Sequence, residues 1–157
     1  MYTKGDKIVY PLYGAGVIED VEQKEIDGET QFYYVLTIPV GNLKIMISAV
    51  KAESQRVRYV HGSDEILGLI AAAAEIEMHD NWNQRYKENM ERIKTGELAQ
   101  VAIVFYNLLL RERERGLSTA EKKMMTTAKQ IILSELILSL DVTKERAEEI
   151  LDDTFKG

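Results

Sequence analysis

Along the first sixty positions, apolar and polar residues alternate in short runs broken by turn-formers. Lys7-Ile-Val-Tyr10 reads as a strand, followed by a turn over Pro11 to Gly16 in which Gly14 and Gly16 permit backbone angles that other residues resist. Val17–Val21 resumes as a strand, and Asp27-Gly28 is a hairpin-turn signal. Gln31–Ile38 is rich in Tyr, Val and Ile, the residues that suit a pleated sheet. Pro39 and Gly41-Asn42 break that run, Leu43–Ile47 follows, and Val57–Val60 supplies a fifth short strand. Closely spaced short strands predict a small barrel of SH3 or Tudor type.

From Ser63 the period changes to that of a helix. Ser63 caps a helix expected to run to about Met78, and His79-Asp80-Asn81 breaks it. Asp80 or Asn81 caps the next helix, which starts near Trp82 and stops at Thr95-Gly96. Leu98, Val101, Ala102, Phe105, Leu108 and Leu109 form a wide apolar stripe on a helix closing in Arg111-Glu-Arg-Glu-Arg115. Ser118-Thr-Ala-Glu121 is a capping box that opens a long helix to about Leu140, and Thr143 starts a last one over Lys144–Phe155. The fold class is therefore α+β: a β domain over 1–61, then an all-helical domain of about five helices over 62–157, with the boundary near His61-Gly62.

Composition narrows the chemistry. The chain has no cysteine, which excludes disulfides, thiolate metal sites and cysteine nucleophiles. His61 and His79 lack a second histidine at metal-ligand spacing, and no Gly-Lys-Ser/Thr phosphate loop is present. Acidic pairs such as Asp152-Asp153 are adjacent on a helix and so do not face each other. The reading is a binding protein, not an enzyme, with no metal and no cofactor. The start Met-Tyr-Thr-Lys-Gly-Asp has no apolar signal core, and no apolar stretch is long enough to span a bilayer. A cytoplasmic protein without membrane contact is expected.

Net charge is −6, which argues against a free-standing nucleic-acid binder. The distribution matters more. Residues 61–81 carry five acids and no Lys or Arg, 82–129 carry ten bases against six acids, and 130–157 carry seven acids against three bases. A positive block thus lies between two negative ones. It begins at the only tryptophan, Trp82, in the first turn of its helix, where unpaired amides attract anions. Arg85 and Lys87 follow, with Asn81, Asn83, Gln84 and Asn89 as neutral donors. An aromatic wedge flanked by cations and amides suits the minor groove or partly unstacked DNA. Against this, Trp82, Tyr86, Met90 and Ile93 share one helix face, and spacing alone favours burial of the ring.

Three segments in order resemble the CarD/CdnL transcription regulators, whose N-terminal domain is related to the polymerase-interacting domain of transcription-repair coupling factor. They are Gly5-Asp-Lys-Ile-Val-Tyr-Pro-Leu-Tyr-Gly-Ala-Gly16; Trp82-Asn-Gln-Arg-Tyr-Lys-Glu-Asn-Met90 with Lys94-Thr-Gly96; and Arg113-Glu-Arg-Gly-Leu-Ser-Thr-Ala-Glu-Lys122, followed by Gln130-Ile-Ile-Leu133 and Glu135-Leu136. The resemblance implies a Tudor-like domain that binds the RNA polymerase β subunit. It also implies a helical domain at the upstream edge of the promoter bubble, where the family's tryptophan acts as a minor-groove wedge that stabilises the open complex. By position the wedge falls on Trp82 and basic contacts on Arg85 and Lys87, while a usually basic position is Gln84 here. Two polymerase-contacting arginines correspond to Lys24 and Met46, with Lys44 two residues before Met46 on the same strand face. Strand pairing along an exposed edge would tolerate those changes. The partners implied are polymerase and promoter DNA, the latter weak unless tethered; a monomer is expected, with strand exchange as a route to a dimer. The competing reading is a protein–protein adaptor with no DNA contact.

Overall fold

A computed structural model describes residues 1–156. The chain folds in the order β1 (Lys7–Tyr10), β2 (Gly14–Ile26), β3 (Glu29–Ile38), β4 (Leu43–Ser48), α1 (Ala49–Ser54), β5 (Arg58–Tyr59), α2 (Ile66–Ala71), α3 (Trp82–Lys94), α4 (Leu98–Arg115), α5 (Thr119–Leu140) and α6 (Lys144–Thr154). The strands form one antiparallel sheet in the order β4-β3-β2-β1-β5. This is the Tudor-like arrangement expected, left open between its outer strands β4 and β5. Asp27 and Gly28 close the β2–β3 hairpin with both residues at positive φ. A bulge at Glu19 lets the long β2 bend. One face of the alternation is buried: Ile8, Ile18, Tyr34, Leu36, Ile38 and Ile47 make the β core.

The structure departs from the sequence reading at two places. The helix expected over 63–78 is only α2, and residues 73–79 carry no regular secondary structure. The buried Asn107 of α4 accounts for this. Its Nδ2 donates to the Ala74 carbonyl at 3.0 Å and its Oδ1 accepts from the Ile76 amide at 2.9 Å. Those groups would otherwise serve helix bonds. Ile76 and Met78 are half-buried between the exposed Glu75, Glu77 and His79, a period of two that a helical reading passes over. The other departure is α1, capped by Ser48 Oγ accepting from the Lys51 amide, with only Ala52 buried. A six-residue helix with one buried position has no stripe to read.

The helical core joins Ile66 and Ile70 of α2 to residues of α3–α6, including Leu98, Leu108, Ile132 and Leu151. It docks on the sheet through α5, which packs on β2. The Ala15 amide donates to Ser134 Oγ at 2.8 Å. Gly14, at φ +116°, lies so close that a Cβ would sit 2.8 Å from that oxygen. Gly16 is needed for space rather than angle: a Cβ there would meet the Thr37 carbonyl at 2.7 Å. No helix among the described residues is long and apolar enough to cross a membrane.

Candidate nucleic-acid and polymerase interfaces

Helix α3 begins where Asn81 Oδ1 accepts from the Gln84 amide at 3.1 Å. The buried residues of the helix are Arg85, Asn89 and Ile93, one every four positions, with Tyr86 and Met90 half-buried beside them. Trp82 heads the same stripe but lies a turn before the packed region, and 51% of it is exposed. The burial that spacing favoured for Trp82 is therefore not what the fold adopts. The inward place at this end of the helix belongs to Arg85.

Arg85 is 3% exposed. Its Nε donates to Glu121 Oε2 at 2.7 Å and its Nη2 to Glu121 Oε1 at 3.0 Å, a bidentate pair inside the protein. Its Nη1 donates to the carbonyls of His79 and Asp80 at 3.0 and 3.1 Å. The hydrogen bond to Glu121 raises the arginine pKa against the opposing effect of burial. The Arg85 hydrogen bond, followed by its charge, holds the Glu121 carboxyl below the usual range although burial opposes it; Ser118 Oγ adds a bond of 3.1 Å. In this arrangement Arg85 is not available as a phosphate contact, a correction to the expectation. It ties the peptide entering α3 to the capped end of α5, and so fixes the turn that presents Trp82.

Lys87 and Gln84 are exposed, and Gln84 Nε2 reaches Glu88 Oε1 at 3.3 Å. Two cations were not singled out from sequence. Lys122 and Lys123, both exposed, lie in the first two turns of α5, whose start the Arg85–Glu121 pair brings against the amino end of α3. A capping box followed by Lys-Lys is the signal in the sequence, and only the fold relates it to Trp82.

On the sheet, Lys24, Lys44 and Met46 come to one outer face. Lys24 Nζ lies 3.5 Å from Met46 Sδ and 5.4 Å from the centre of the Tyr33 ring. Lys44 Nζ pairs with Glu19 Oε2 at 3.1 Å, and that hydrogen bond lowers the Glu19 pKa, with help from Thr37. Met46 is 47% exposed on β4, which is an outer strand of the sheet.

The chain matches the family model of the CarD-like/TRCF RID domain over residues 2–60 and that of the CarD C-terminal domain over residues 65–152. It is similar to YdeB of Bacillus subtilis (strain 168), a protein named as a candidate transcription factor. The two are 38% identical over 151 residues, covering 93% of this chain and 97% of the relative. The chain belongs to the CarD family of transcription factors, with an RNA polymerase-interacting domain at its N-terminus.

Proposed function

We propose that this protein is a non-catalytic regulator of transcription initiation. The β domain, residues 1–61, binds the polymerase β subunit through the outer face and free edge of β4. The helical domain, residues 62–157, then meets DNA at the upstream edge of the promoter bubble, with the Trp82 ring as a minor-groove wedge that hinders bubble closure. The observation that carries this reading is a half-exposed tryptophan that follows a turn whose His79 and Asp80 carbonyls are held by the buried, ion-paired Arg85. A large apolar ring facing solvent on so firm a base suits insertion between base steps. Lys87, Lys122 and Lys123, all exposed, take the phosphate-contacting role first expected of Arg85, with Gln84 as a neutral donor.

The net charge of −6 limits the reading in a useful way. A free protein of that charge binds DNA poorly, whereas one anchored to polymerase presents its wedge at an effective concentration that a weak contact can exploit. At β4, backbone groups supply the binding and the exposed Lys24, Lys44 and Met46 tune it. Photocrosslinking from position 82 in a complex of polymerase, promoter and protein tests the assignment. Capture of DNA near the upstream bubble edge supports it, and capture of a protein alone would favour the adaptor.

A further inference from the structure

Among the described residues the buried acids are Glu121 and Glu135, and both are on α5. Each is gripped by an arginine from a different part of the molecule. Glu121 holds Arg85, three residues after Trp82. Glu135, fully buried, accepts from Arg58 Nη1 and Nη2 at 2.9 and 2.8 Å and from the His61 amide at 2.9 Å. Arg58 belongs to β5, and its Nε also donates to the Gly96 carbonyl at the end of α3, at 3.0 Å. The two carboxylates are separated by about 21 Å along the helix at 1.5 Å per residue. Around Glu135 the same helix is fastened to the sheet by Ser134 and by Lys7 Nζ donating to the Leu138 carbonyl at 3.0 Å, and to the segment after β5 by Ser139 Oγ donating to the His61 carbonyl at 2.7 Å.

Hydrophobic contact would join the two halves at similar free energy but with less control of angle. A buried ion pair adds little net stability over apolar residues of the same volume, and its directional bonds select one arrangement. We infer that α5 is a rigid strut: the Arg58–Glu135 pair fixes the helical domain on the β domain, and the Arg85–Glu121 pair fixes the Trp82 turn on the same helix. Arg58 and Glu135 are then positioning residues for the wedge, which they do not touch. This inference rests on the proposed function, since the strut matters only if both of its ends are engaged.

The test uses the full chain with its cognate polymerase. In Arg58→Met/Glu135→Met both charges are replaced by apolar side chains, so no buried charge is left alone. Because the chain has no cysteine, spin labels at Glu53→Cys on α1 and Glu91→Cys on α3 report the distance between the domains. The variant is expected to bind polymerase as tightly as the parent, to broaden that distance distribution, and to shorten open-complex lifetime by about 2- to 30-fold, the range for residues that modulate coupling without touching a ligand. An unbroadened distribution overturns the inference. So does a broadened one with unchanged lifetime, if Trp82→Ala shortens the lifetime in the same assay; the wedge then stands and the strut falls. If Trp82→Ala also leaves the lifetime unchanged, the wedge reading fails and the strut's role fails with it. Should the double variant not fold, Arg58→Lys keeps the charge and gives up the two-pronged geometry; the same broadening supports the strut, and its absence overturns it.

Discussion

The amino end of α3 and the outer face of β4 both offer exposed side chains, but they are supported differently. Three residues after Trp82, Arg85 forms a buried bidentate ion pair and holds the peptide entering the helix. Beneath Met46 and Lys44 is ordinary sheet, and their neighbours are exposed groups, Lys24 and Glu19. If Trp82 is the proposed wedge, the first region is one in which a single ring is aimed from a fixed turn. The second presents a strand edge on which side chains are adjustable, because the backbone provides the regular hydrogen-bonding array. On the proposed reading, Lys24 and Met46 can stand where the family resemblance implies arginines, while Trp82 has no such latitude.

The contrast can be broken by substitution. Arg85→Ala leaves Glu121 buried without its partner and is expected to destabilise the protein by about 3–5 kcal/mol in urea unfolding. A cost under about 1 kcal/mol would mean that the pair does not support the turn. Acid weakens the same pair more gradually. The folded-state pKa of Glu121 lies below its ordinary value of 4.5. Its contribution is therefore complete above that value and is lost as pH falls through the lowered one. Thermal melts of the parent should fall in that acid window more steeply than those of Arg85→Met/Glu121→Met, in which the group is absent.

At the sheet the effects are smaller. Met46→Asp adds an acid to an exposed position and is expected to weaken polymerase binding by roughly fivefold to tenfold, about 1 kcal/mol, with unfolding unchanged. Titration with labelled polymerase checks this, and a loss of stability instead would make Met46 part of the fold's support. The smallest expected effect is at Lys122: Lys122→Ala should reduce the salt dependence of the promoter-bound complex by about one unit of slope. An unchanged slope would remove the amino end of α5 from the DNA surface.

Much of what is local was visible in the sequence, although the short α1 and the start of α2, at Glu65 rather than the expected Ser63 cap, were not. Asn81, Ser118 and Thr143 cap the helices that follow them, and the strands up to β4 are set by alternation and turn residues. The end of α2 was hidden, because a side chain 33 residues away, Asn107, takes the Ala74 carbonyl. The site was half legible. Trp82, Lys87 and Gln84 are exposed, as a surface role requires, but Arg85 looked like a surface cation because an arginine's partner is invisible in one dimension. The Arg58–Glu135 pair spans 77 positions and leaves no periodic trace at all.

The central claim is that Trp82 is an exposed wedge on a fixed support, and Trp82→Ala addresses it most directly. The lifetime of the open complex formed by cognate polymerase should be measured with parent and variant, alongside unfolding of each. A half-exposed ring predicts a stability loss of about 1–2 kcal/mol, short of the cost of emptying a core position, and unchanged polymerase binding. The lifetime should nonetheless fall to that of polymerase without the protein. A variant that is folded, polymerase-bound and still as effective as the parent would contradict the account.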